Sequence, residues 1–246
     1  MAEVIVTKWE EFKEAVSVAE NTVICPPEVW DLSDETISNL QINCKEIQGN
    51  GLTLKGLYIT DTISKSGDIY DLNMLGIYAP YGDLFYTATS NKFVRCGFSG
   101  ECKGDFESIA FTSGRELFEK CSFRMKSNCI VGGGAVNASF DDCDMLLNCI
   151  QQTAFNARNS RISGKLKGGL SMGYSPAFGT NYGRSEINAE IPAEAAINIR
   201  SELAGQKILI NSDLCMASIP PELIPVTSAQ LNDTGYLTSI GYLTGG

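Results

Sequence analysis

Phe93-Val-Arg-Cys96-Gly-Phe98 recurs as Phe118-Glu-Lys-Cys121-Ser-Phe123 and again as Phe140-Asp-Asp-Cys143-Asp-Met145. Weaker copies extend the series in both directions. Ile69-Tyr-Asp-Leu72-Asn-Met74 precedes it; Ala157-Arg-Asn-Ser160-Arg-Ile162, Tyr182-Gly-Arg-Ser185-Glu-Ile187 and Leu209-Ile-Asn-Ser212-Asp-Leu214 follow. The ordered recurrence reads as an internal repeat. A second apolar series runs between the copies: Leu84-Phe85, Ile109-Ala-Phe111, Ile130, Ile150, Leu170 and Ile197-Asn-Ile199. Short strands, irregular repeat length and loops rich in Gly, Asn and Ser predict an all-β fold, a parallel β-solenoid whose insertions fall in turns.

The register follows from the two-residue period of strands. The central residues Leu72, Cys96, Cys121, Cys143, Ser160, Ser185 and Ser212 should stack inward, where small side chains suit a crowded column. The preceding residues, Asp71, Arg95, Lys120, Asp142, Asn159, Arg184 and Asn211, should face solvent, as should the following ones, Asn73, Gly97, Ser122, Asp144, Arg161, Glu186 and Asp213. Opposite charges then become neighbours at Asp71/Arg95, Lys120/Asp142 and Asp144/Arg161/Glu186, each contributing a few tenths of a kcal/mol.

This pattern resembles the right-handed parallel β-helix proteins of the pectate-lyase-like superfamily over roughly residues 40–215, including the opening Ile47-Gln-Gly-Asn-Gly-Leu-Thr-Leu54. The resemblance implies an architecture and no single activity, because that fold hosts lyases, hydrolases, adhesins and viral spikes. The lyase members use calcium-binding Asp clusters and an Arg base. That constellation has no counterpart placed in this sequence, so lyase activity is not carried over.

Composition narrows the chemistry. The 246 residues suit one main domain. Lys and Arg number 19 against 29 Asp and Glu, a formal charge of −10, which argues against nucleic acid and anionic membranes as partners. The chain has no histidine, which excludes Ser/His/Asp and Cys/His nucleophile systems and His-ligated metals. The 9 cysteines form no Cys-x-x-Cys pair and read as small buried apolar residues. The N-terminus has no signal-peptide pattern and no segment has the length of a membrane span, so a protein made and kept in a reducing cytoplasm, without membrane insertion, is expected.

Solenoid ends need covers. Residues 1–39 read as an N-terminal cap, 40–218 as the β-helix and 219–246 as a Pro-containing linker with a docking or capping tail. Thr7-Lys-Trp-Glu10 has a capping-box pattern, and Trp9, Phe12, Val16 and Ala19 recur at helical spacing, which predicts an amphipathic helix over 8–20. Thr227 with Gln230 predicts a second capping box and a short helix ending near Gly235. Gly-Tyr-Leu-Thr then repeats at 235–238 and 241–244. An even offset keeps the facing of an extended strand, with Tyr236, Thr238, Ile240 and Tyr242 on one side and Leu237 and Leu243 on the other. Tyr236, Leu237, Ile240, Tyr242 and Leu243 are therefore the candidate partner-docking residues, the alternative being a tail that only caps its own last coil.

Catalytic candidates are few. Asp142 and Asp144 lie two residues apart, roughly 6.6 Å at strand rise, within the separation of about 6.5 to 9.5 Å of inverting glycosidases. Basic neighbours in the register would keep both ionised and so disfavour a general acid. Gly132-Gly-Gly134 and Ser163-Gly-Lys-Leu-Lys-Gly-Gly169 lack a phosphate-loop pattern and read as turns. No metal or cofactor is expected.

The tail carries a second resemblance. Thr-x-x-Gln-Leu-x-Asp followed by Tyr-Leu-x-Ser-Ile-Gly-Tyr, from Thr227 to Tyr242, resembles a C-terminal segment of tailed-bacteriophage structural proteins, notably head-fibre and capsid-decorating ones. It implies a virion accessory protein with other virion proteins as partners and no catalytic residue. Homo-oligomerisation and surface-glycan binding stay open. The alternative is a carbohydrate-active β-helix enzyme, a polysaccharide depolymerase or tailspike, using Asp142 and Asp144. An adhesin-like binding module is disfavoured by the missing export signal.

Overall fold

The computed structural model describes residues 2–61, 63–80, 84–87, 91–103, 108–112, 116–127, 129–131, 139–173, 183–199 and 207–243. The chain winds into a parallel β-solenoid of about 7 turns. Its strands line up in a 10-stranded, a 12-stranded and a 5-stranded sheet running along the axis.

The core is built from columns of one residue per coil. In the 10-stranded sheet Val23, Ile47, Ile69, Phe93, Phe118, Phe140 and Ala157 stand in register. The Phe93, Phe118 and Phe140 rings stack at centroid distances of 4.7 and 5.0 Å. The facing column in the 12-stranded sheet runs Leu54, Met74, Phe98, Phe123, Met145, Ile162, Ile187 and Ile210. Phe118 meets Phe123 edge-on at 5.3 Å, so aromatic contacts cross the core as well as climb it.

The corner between these sheets explains the Cys/Ser column. The backbone N–H of Cys96 donates to Cys121 Sγ (3.4 Å), that of Cys143 to Ser160 Oγ (3.1 Å) and that of Ser160 to Ser185 Oγ (3.4 Å). In return Cys121 Sγ donates to the Phe93 carbonyl, Cys143 Sγ to that of Phe118 and Ser160 Oγ to that of Phe140, each at 3.3 Å. These cysteines are free thiols, buried as expected, yet they are more than apolar filler. A small side chain that both donates and accepts satisfies backbone groups the sheets cannot reach at a bend, which is why serine replaces cysteine from Ser160 onward.

The residue before each of these bends is left-handed: Asp71, Arg95, Lys120, Asp142 and Asn159 have φ of 52, 54, 55, 54 and 53°. They are solvent-facing, as predicted, because a corner turns them outward. In the next coil Gly183 takes this conformation (φ 59°) in place of Arg184. Of the expected outward pairs, Arg95–Asp71 forms at 2.6 Å and Arg161–Glu186 at 3.7 Å. Asp144 is engaged by Arg124 instead, and no Lys120–Asp142 pair is found among the described residues.

Parts of the register differ from expectation. Ser185 stacks on Ile208, four residues before Ser212, because the last coil aligns Arg184–Ile187 with Lys207–Ile210. Ile150 is exposed, at the turn after the strand Asp144–Cys149, and does not join the second apolar series. Tyr182 and Gly132–Gly134 lie outside the described residues.

Pairing reaches beyond 40–218. Ala2–Ile5 already pairs with Asn21–Ile24, and Ile224–Val226 still pairs with Lys207–Asn211. Helix α1, Trp9–Val16, is inserted between the first two strands and buries Trp9, Phe12, Ala15 and Val16 over the open end of the core. It stops before Ala19, which is exposed, since Ser17 caps it. Thr7 does not pair with Glu10: its N–H and hydroxyl both donate to Glu11 Oε2 at 2.9 Å.

Candidate docking end

The tail leaves the last strand, Ile224–Val226, and forms two short helices, α2 (Ser228–Leu231) and α3 (Thr234–Ser239). The Thr227/Gln230 capping box is present: the Gln230 N–H donates to Thr227 Oγ1 (3.2 Å) and the Thr227 N–H to Gln230 Oε1 (2.8 Å). The start of α2 is also tied to the solenoid, with the Ser228 N–H donating to Asp213 Oδ2 at 2.7 Å and Asn211 Nδ2 to Ser228 Oγ at 3.0 Å.

The predicted extended strand over Tyr236–Tyr242 is instead helix α3 and the turn after it. Asp233 caps it by accepting from the Tyr236 N–H at 3.0 Å, and the Thr238 and Ser239 hydroxyls donate back to the carbonyls of Thr234 and Tyr236 at 2.7 Å. The spacing Tyr236, Ile240, Leu243 is also i, i+4, i+7, a helical stripe, and the tail packs on Leu209 and Val226 of the last coil.

Of the five candidate docking residues, Leu237 and Tyr242 are buried in a cluster with Leu209 and Val226. Burial pushes the Tyr242 phenol up to about 12. Lys207 Nζ donates to the Gly241 carbonyl and closes the seam. Tyr236, Ile240 and Leu243 pack on the rim of this cluster with Leu231, half-buried. The tail thus covers the last coil while leaving an apolar rim.

Asp142 and Asp144 are not brought onto one strand face. Asp142 occupies the left-handed corner after Ser139–Asp141, whereas Asp144 opens the next strand, Asp144–Cys149, beside Ser122 and Arg161. Strand alternation does not cross a bend, so the separation inferred from strand rise does not apply. Among the described residues no cluster of three His, Cys, Asp or Glu side chains could hold a metal ion.

The core also holds a buried ionisable pair that the repeat pattern does not announce. Lys65 is 3% and Glu116 1% exposed. Lys65 Nζ lies 4.3 Å from the Phe93 ring centroid and has no hydrogen-bond partner among the described residues. Burial pushes the Lys65 amine down to about 7 and the Glu116 carboxyl up to about 7. The signal was available in Ile63-Ser64-Lys65, where a lysine has the inward parity of Ile63.

No protein family, no curated protein and no solved structure matches this chain.

Proposed function

We propose that the chain is a bacteriophage virion accessory protein, a head fibre or capsid-decorating protein, that docks on other virion proteins by its C-terminal end and exposes its solenoid wall. The observation that carries this reading is the rim of Leu231, Tyr236, Ile240 and Leu243. Two helices and the turn after α3 cover the last coil, and Leu231, Tyr236, Ile240 and Leu243 there stay only half-buried at one end of the rod. The bacteriophage-like tail sequence, Thr227 to Tyr242, falls on these same helices. The wall supports a passive role, since much of its charge is matched between coils, as in Lys126–Glu101 (2.7 Å) and Lys165–Glu190 (2.9 Å). For the glycosidase alternative, Asp142 lies in a corner and Asp144 opens the next strand, so the pair does not share the one strand face on which that reading rests.

Particle association tests the reading. The protein should be detected by mass spectrometry in purified particles of the phage that encodes it. Tyr236→Ser with Ile240→Ser and Leu243→Ser should keep the solenoid's circular dichroism yet fail to join particles. A folded variant that still joins them would place the contact elsewhere. Sugar release from host polysaccharide that disappears in Asp142→Asn or Asp144→Asn would favour the enzyme instead.

A further inference from the structure

The two ends of the 12-stranded sheet are finished differently. At the C-terminal end Ile224–Val226 is blunted: Pro225 has no N–H to offer, and α2 and α3 follow it. At the other end the last strand is Val29–Asp31, which pairs with Thr53–Lys55. Residues of a parallel strand alternate in the side to which they bond. The Thr53 N–H donates to the Glu28 carbonyl and the Leu32 N–H to that of Lys55, both at 2.8 Å. Residues 28, 30 and 32 therefore serve the inner neighbour. The N–H and C=O groups of Val29 and Asp31 point away from the sheet, with no backbone partner among the described residues.

This edge opens into a groove of about 570 Å³ between the start of α1 and the loop after the strand. Its lining carries Glu10, Glu28, Asp31, Asp34 and Glu35 against Lys8; Lys8 pairs with Glu11 at 3.9 Å and Asp31 with Lys55 at 3.4 Å, which leaves Glu10, Glu28, Asp34 and Glu35 outside these ion pairs. Val29 projects with 65% of its surface exposed, an apolar contact beside the free backbone groups.

We infer that this edge is a strand-addition site for an extended, basic segment of a partner protein. Added strands take affinity from main-chain hydrogen bonds and selectivity from flanking side chains. Here the main-chain groups are Val29 and Asp31, and the flanking charge selects lysine and arginine. A second copy fits poorly, because the chain carries a formal charge of −10 and its opposite sheet end is blocked by Pro225. The site is independent of docking through the C-terminal rim.

The probe is a fluorescent nine-residue peptide of alternating Lys and Val, titrated into the full chain at low ionic strength and followed by anisotropy. Binding should weaken with salt, and hydrogen exchange at the Val29 and Asp31 amides should slow in the complex. A peptide of equal charge with every backbone amide N-methylated cannot pair along either edge and should bind about tenfold more weakly. Val29→Pro, which removes an outward N–H and no ladder bond, should cost a similar factor. Glu10→Gln with Asp34→Asn and Glu35→Gln should flatten the salt dependence. Equal binding of the methylated peptide to the wild-type chain overturns the proposal, as does no binding of the unmodified one. Protection of Val29 and Asp31 by self-association alone would assign the edge to a second copy and also overturn it.

Discussion

Cys121 holds together two coils through one sulfur atom, accepting from the Cys96 N–H and donating to the Phe93 carbonyl. Cys121→Ser should therefore change stability by under about 1 kcal/mol, since Ser160 does the same work two coils on, whereas Cys121→Val leaves buried backbone groups unmatched and should cost about 1 to 3 kcal/mol. Urea unfolding of the two variants checks the order; equal losses would reduce the column to packing. Lys65 and Glu116 make a second residue-level prediction through proton linkage. Unfolded Lys65 keeps its proton to near 10.5 while the folded amine loses it near 7, so rising pH stabilises the fold across that window. Glu116 acts oppositely: the unfolded carboxyl ionises near 4.5 and the folded one near 7, so rising pH destabilises the fold there. Their combined cost peaks near neutral pH. Lys65→Met with Glu116→Gln should raise stability by roughly 2 kcal/mol at pH 7, with the gain shrinking towards pH 4.5 and pH 10.5. A gain that does not vary with pH in thermal melts would show that the two groups do not titrate as described.

At the scale of the element, inward and outward positions differ sharply in what they contribute. Phe118 stacks on Phe93 and Phe140 and is fully buried, while Lys120 is an exposed corner residue. Phe118→Ala should cost about 3 to 5 kcal/mol as a core cavity and Lys120→Ala under about 1; denaturant midpoints in the reverse order would mean the faces are swapped. That inward/outward pattern was legible from Ile69 to Ile187 because strand parity and the recurring apolar template mark it in the sequence. The failures have local causes. Ser212 matched the template in sequence while Lys207–Ile210 fitted the space, since the coil's own contacts decide register where the repeat is weakest. Strand alternation stops at Asp142 because it sits in a left-handed bend, a conformation that Asp and Asn favour and that a two-residue period does not reveal. The tail's six-residue repeat fits a strand's parity, yet helical spacing prevailed once Asp233 capped α3 and Leu237 found Leu209. Within the candidate docking end the capping box was readable, and the division of Tyr236–Leu243 into buried and rim residues was not, because it depends on the surface against which the tail folds.

For the molecule as a whole, the solenoid is a stack in which each coil relies on its neighbours, so stability is greatest in the middle and is lost from the ends. Deleting residues 227–246 removes Leu237 and Tyr242 from Leu209 and Val226, and it should lower the melting temperature and expose the last coil to aggregation. A truncated chain that melts like the full one would mean the tail contributes nothing to the fold and serves attachment alone. The columns also have a consequence for how such a protein changes over evolutionary time. Cys96 and Cys121 open successive coils with matching contacts to the coil before and the coil after, and Phe93, Phe118 and Phe140 lie on the same ladder. A tandem duplication of residues 96–120 would therefore insert a turn that both neighbours already fit. The rod can be lengthened in steps of about 4.8 Å, the spacing between strands, without redesign of either terminus: its height is a digital quantity, written in whole coils.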